Sequence, residues 1–173
     1  MPRIVLIAPG LILAWALLLL PATETLGQTG GRASGASQAA GSNQRSTFRD
    51  GSGRMVGSAT ATGNRTTYRD ATGRLTATAT RSGNTVTYRD SMGRMIGRAD
   101  VGNQRTTFRD STGRFLGSTN QTGSRATFRD SQGRQLGSAQ QFGSQTTFRD
   151  SQGRQAGQAS GPANGFSRWP LGG

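Results

Sequence analysis

The stretch T-T-Y-R-D-A-T-G-R-L-T-A-T-A-T-R-S-G-N-T, residues 66 to 85, decides how the rest of the chain is read. Twenty residues on, T-Y-R-D-S-M-G-R-M-I-G-R-A-D returns the same skeleton, and T-F-R-D-S-T-G-R-F-L-G-S-T-N repeats it again. Counted from the Thr before the aromatic, six units begin at Thr47, Thr67, Thr87, Thr107, Thr127 and Thr147, with no insertion between them. Self-similarity at a fixed period of this length signals a repeat architecture and outranks any residue-level reading.

The columns of the repeat name its parts. The second is aromatic: Phe48, Tyr68, Tyr88, Phe108, Phe128, Phe148. The third is always Arg (Arg49, Arg69, Arg89, Arg109, Arg129, Arg149), the fourth always Asp, the seventh Gly and the eighth Arg. D-x-x-G suits a type I turn, with an Asp carboxylate accepting from the turn backbone and a Gly where φ turns positive. Six such turns are expected, at Asp50 and Gly53, Asp70 and Gly73, Asp90 and Gly93, Asp110 and Gly113, Asp130 and Gly133, and Asp150 and Gly153. A type I turn followed by a left-handed Gly closes a three-residue hairpin loop. That closure sets the Asp column opposite the second Arg column. One step on, it sets the aromatic column opposite the mostly aliphatic tenth column (Val56, Ile96, Leu116, Leu136). On this register the first Arg column, Met55, Leu75, Met95, Phe115 and then Gly and Ala share the other face. A second turn falls at Gly63-Asn64, Gly83-Asn84, Gly123-Ser124 and Gly143-Ser144.

Each unit therefore reads as two strands and two turns, and the Thr and aromatic enrichment supports strands over helix. The expected fold is all-β, an extended antiparallel meander of about twelve strands from six repeats. A β-solenoid, with identical columns stacked in parallel, is the alternative. Stacking Arg on Arg at ~4.8 Å costs about 0.9 kcal/mol per pair even in bulk water, which favours the meander.

Only 31% of the 173 residues are hydrophobic, and part of that lies in one N-terminal run. Cys and His are absent, which excludes thiol nucleophiles, disulfides, imidazole bases and Cys/His metal sites. Six of the seven Asp occupy one repeat position, and six copies of one environment do not push two carboxylate pKa values apart as acid-base catalysis requires. No enzyme, cofactor, metal or small-molecule substrate is expected. All 21 basic residues are Arg and the net charge is +13, so a polyanion is the natural partner. The first Arg column, standing in a row on one face, is the candidate binding surface. It would meet lipopolysaccharide, acidic polysaccharide or extracellular DNA.

Residues 1–27 have the layout of a secretory signal peptide: Arg3, an apolar run from Ile4 to Leu20, and small residues around Ala22 and Gly27. An uncleaved anchor is the competing reading. Residues 28–42 read as a flexible Gly/Ser-rich linker, 43–160 as the repeat domain and 161–173 as a tail, with Phe166 and Trp169 suited to capping.

The unit [FY]-R-D-x-x-G-R resembles the YD repeats of RHS-type bacterial secreted proteins, which implies β-hairpins built on D-x-x-G-R turns over residues 47 to about 160. Here Arg69 stands where that family has Tyr, and the aromatic moves back to Tyr68, onto the other strand face. Six units are too few for that family's enclosing shell. A looser likeness is to curlin-type amyloid subunits, which implies self-association. The expectation is an exported, non-enzymatic β-repeat protein, structural or adhesive at the bacterial surface or matrix. The alternative is a curli-like fibre subunit.

Overall fold

The computed structural model describes residues 43–161; the segments 1–42 and 162–173, with the signal, linker and capping readings, lie outside it. Twelve strands follow one another: β1 (Gln44–Asp50), β2 (Met55–Thr62), β3 (Arg65–Asp70), β4 (Leu75–Ser82), β5 (Thr85–Asp90), β6 (Met95–Val101), β7 (Arg105–Asp110), β8 (Phe115–Thr122), β9 (Arg125–Asp130), β10 (Gln135–Phe142), β11 (Gln145–Asp150) and β12 (Gln155–Ser160). Each is antiparallel to its sequence neighbours, so the meander of paired hairpins is present. It is not open. β1 pairs with β12 through Thr47↔Ser160, Phe48↔Ala159, Arg49↔Gln158 and Asp50↔Gly157, and the sheet is a closed barrel. The expected extended sheet is thereby corrected.

Closure follows from a constant step in register. Thr47 pairs with Ser58 and Ser58 with Arg69, so crossing two strands advances the pairing by 22 residues against a repeat of 20. That two-residue slip, taken six times, returns a stagger equal to the number of strands. Such a ratio corresponds to a strand tilt of about 36°, within the range that closes barrels. The seam copies the internal joints: Phe48↔Ala159 is the counterpart of Tyr68↔Ala59. An open sheet would leave two unpaired edges and one wet aromatic face, and closure removes both.

The register of the hairpins also differs from the expected one. Asp70 pairs with Arg74 and Arg69 with Leu75, but a bulge follows, and Tyr68 meets Ala77 instead of Thr76. Phe48↔Gly57, Tyr88↔Gly97, Phe108↔Gly117, Phe128↔Gly137 and Phe148↔Gly157 repeat the pattern. The aromatic column therefore lies opposite the small eleventh column on one side and the Ala column on the other, not opposite the tenth. The Gly and Ala expected on the Arg face turn inward. An extra residue in every second strand bends that strand and sharpens its twist, the curvature a closed barrel needs. Close approach is part of this: a Cβ on Gly97 would stand 2.6 Å from the Arg109 carbonyl oxygen.

The interior holds Phe48, Tyr68, Tyr88, Phe108 and Phe148 with Ala59, Ala79, Ala99, Ala139, Ala159 and Val86; Phe128, Val56 and Leu116 pack against them. Burying five aromatic side chains at roughly 1.5–3 kcal/mol each accounts for a core in a chain this polar. Thr66, Thr106 and Thr119 are also buried inside, their hydroxyls without hydrogen-bond partners, and Thr106 pairs directly with Thr119. One rim carries the six D-x-x-G-R turns. The other carries the short turns, where Gly63, Gly83, Gly123 and Gly143 adopt φ of 56–57°. Positive φ at the first of two loop residues is the type II′ arrangement that matches strand twist. The chain enters β1 and leaves β12 at this second rim. All the ladder pairing of the barrel is made within residues 44–160.

Candidate anion-binding wall

Each D-x-x-G-R turn is built the same way. In the second, Gly73 N–H donates to the Asp70 carbonyl (3.1 Å) and Asp70 N–H to the Arg74 carbonyl (3.0 Å). Asp70 Oδ1 accepts from the backbone N–H of Thr72 (2.9 Å) and of Arg74 (3.0 Å) and from the Thr72 hydroxyl (2.7 Å). Gly73 then takes φ 85°, and Gly53, Gly93, Gly113, Gly133 and Gly153 lie between 82° and 88°. The six Asp are thus turn-formers, each satisfied locally.

The carboxylates split into two groups. At Asp50, Asp70 and Asp110 the hydroxyls of Ser52, Thr72 and Thr112, followed by the turn N–H groups, hold the carboxyl below its ordinary range. At Asp90, Asp130 and Asp150 desolvation in the turn raises the carboxyl, and hydrogen bonds led by Arg94, Arg134 and Arg154 more than reverse it. These three have Met92, Gln132 and Gln152 where the others have a hydroxyl, and there Arg Nε closes on Asp Oδ2 at 2.7–2.8 Å. The second Arg column therefore serves the turn's own charge in half of the repeats.

The first Arg column is placed otherwise. Arg49, Arg69, Arg89, Arg109, Arg129 and Arg149 each donate through Nη1 to the carbonyl of their own turn glycine, at 2.8–3.1 Å. A carbonyl orients a guanidinium without neutralising it, and several N–H donors of the fork remain for an anion. Arg109 differs, because Asp100 Oδ2 lies 3.8 Å from its Nε and Arg98 is its cross-strand neighbour. Strand spacing and the two-residue slip put successive row arginines roughly 10–12 Å apart around the wall. That is about one screening length at 0.1 M salt, so they repel one another weakly.

Reading by columns missed a second belt. Arg45, Arg65, Arg105 and Arg125 lie two residues before the repeat Thr, hence on the same outward face, nearer the other rim. The signal was present as Arg in four of six units, with Thr85 and Gln145 in the remaining two. Between the belts run Thr47, Thr67, Thr87, Thr107, Thr127 and Thr147, paired with Ser58, Thr78, Arg98, Ser118, Ser138 and Gln158. The wall is polar and cationic and the interior mainly apolar, the reverse of a lipid-spanning barrel, whose outward band is apolar. Among the described residues no helix is long and apolar enough to cross a membrane, and no group of three acidic, His or Cys side chains could hold a metal ion.

No family model matches the chain, and no curated protein matches it.

Proposed function

We propose that this is an exported, non-enzymatic β-repeat protein that binds polyanions at the cell envelope or matrix through its outer wall. The observation that carries the reading is the contrast between the two Arg columns. One is tied to turn carboxylates in half of the repeats; the other is held by neutral carbonyls with its charge facing outward. Oriented guanidinium groups at regular intervals suit a polymer of phosphate, sulfate or carboxylate groups, because part of the side-chain ordering cost is met before binding. The residues described carry 18 Arg against seven Asp, so long-range attraction adds to local pairing. The export half of the proposal rests on residues 1–27 alone. A barrel whose first and last strands pair with each other has no free edge, which supports a binding module over fibre growth by edge addition.

The test is a pair of fourfold variants with equal charge loss. Changing Arg69, Arg89, Arg109 and Arg129 to Gln should abolish retention on heparin at 0.15 M salt. Changing Arg74, Arg94, Arg114 and Arg134 to Gln should lower stability while leaving most of the retention. Equal loss in two folded variants would mean that diffuse charge, and not the placed row, does the binding.

A further inference from the structure

Three of the large apolar side chains that stand exposed on the described barrel sit on one hairpin, the third: Met92 is 74% exposed, Met95 38% and Ile96 40%. The same positions show what the fold itself requires. Ser52, Thr72, Thr112, Gln132 and Gln152 take the place of Met92 in the other repeats. Gln135 and Gln155 take that of Met95, and Thr76 that of Ile96. Ile96's column is otherwise mostly apolar, and Val56 and Leu116 there pack against the core, but Ile96 itself stays exposed, and nothing in the turn calls for Met92. The patch continues sideways onto half-buried Leu75 and Phe115, which occupy Met95's column in the flanking repeats.

Cations surround it. Arg89 reaches the Gly93 carbonyl at the base of this turn, and Arg94 stands beside the tip, its side chain 70% exposed. The neighbouring turns add exposed Arg74 and Arg114. The turn's one acid, Asp90, is matched by Arg94 at 2.7 Å, so no net negative charge opposes an approaching anion. The tip also lies on the rim opposite the one where the chain enters and leaves the barrel. A soluble polyanion makes no use of an exposed Met-Met-Ile surface. The boundary between lipid headgroups and acyl chains uses both parts, with flexible apolar side chains below and guanidinium groups at phosphate level.

We infer that the third hairpin is a membrane-contact tip, with Met92, Met95 and Ile96 entering the acyl boundary of an anionic leaflet while Arg89 and the flanking turn arginines Arg74 and Arg114 meet its phosphates. This deepens the polyanion-binding reading and rests on it. It adds that the preferred anion is presented by a lipid surface.

The barrel makes all its ladder pairs within residues 44–160, so the test uses residues 28–173 and leaves out the apolar N-terminal run, which would bind vesicles by itself. Co-sedimentation is measured with phosphatidylglycerol/phosphatidylcholine vesicles, with phosphatidylcholine vesicles, and in parallel on heparin. The variant Met92→Thr/Met95→Gln/Ile96→Thr takes residues this barrel already carries at the equivalent positions, so folding is retained and checked by its melting temperature. Its partitioning to the anionic vesicles should fall at least tenfold with heparin retention unchanged. Phe142→Thr, which removes the exposed Phe at the opposite rim, should change neither. If the triple variant sediments like the parent, the tip has no role in contact and the inference is overturned. If the parent binds heparin but not anionic vesicles, the inference fails and the wall reading survives. If it binds neither, both fail.

Discussion

Gly93, like the other D-x-x-G glycines, separates backbone conformation from side-chain space. It sits at φ 83°, its N–H donates to the Asp90 carbonyl at 3.0 Å, and a Cβ added there would meet nothing within 4 Å. Replacing it with Ala therefore adds no clash, and the whole cost is that of holding an L-residue in the left-handed region, about 1–2 kcal/mol. Val at the same site should cost more, because β-branching tolerates positive φ poorly, and Asn should cost less, because its short polar side chain is compatible with it. For a domain of this size each kcal/mol moves the melting temperature by roughly 3–6 °C. The Ala variant should then melt about 3–12 °C below the parent. Gln132→Ala, in a turn of the same type and exposed, is the control and should stay within about 0.5 kcal/mol of the parent. Thermal unfolding followed by far-ultraviolet circular dichroism, with urea midpoints as a second measure, gives the order. Asn as damaging as Val, or Gln132→Ala as damaging as Gly93→Ala, would refute the left-handed turn as the source of the effect.

Four further outcomes are expected. Both tyrosines of the chain, Tyr68 and Tyr88, are buried, and burial raises both hydroxyl pKa values well above 10. The folded state then binds more protons than the unfolded one above pH ~10, so stability is complete below that pH and falls above it. Tyrosinate absorbance at 295 nm should appear only as the barrel unfolds; normal titration of the native protein near pH 10 would contradict an aromatic interior. The six turn carboxyls are held below 3.8, so their contribution is present above that pH and is lost as pH falls through the lower folded values; urea midpoints should drop between pH 4 and 2, and a flat profile would mean that the turns gain nothing from ionised Asp. Thr47 and Ser160 face each other across the seam with hydroxyl oxygens 3.1 Å apart, and the chain has no Cys. Thr47→Cys/Ser160→Cys should form an intramolecular disulfide on oxidation and raise the melting temperature, since a cross-link closing about 100 residues is worth up to ~4.7 kcal/mol; disulfide-linked dimers in place of monomers would indicate an open sheet. Binding to heparin should weaken steeply with salt, and the fourfold Arg69/Arg89/Arg109/Arg129→Gln variant should show a shallower slope, because fewer counterions are released.

Local chemistry was legible in the sequence because it acts over four or five residues. Asp70 and Gly73 specify their turn, Gly83-Asn84 specifies the next one, and the 20-residue period counts the strands. The same holds for the first Arg column, but not for the belt at Arg65, although alternation along the strand sets Arg65, Thr67 and Arg69 on one face. The tertiary structure decided the rest. The bulge before Ala77 inserts one residue into the ladder, and one residue is enough to exchange the faces of everything beyond it. Hence Gly57 and Ala59 turn inward beside the aromatics, where turn closure alone placed them outside with Arg. Closure is likewise a sum over the whole chain. A two-residue slip at each joint says nothing by itself, and only after six repeats does it bring Asp50 against Gly157 with the register used everywhere else. The turns and charges belong to single repeats; the barrel belongs to all six, because strand pairing between Phe48 and Ala159 exists only once the accumulated twist has carried the first strand to the last.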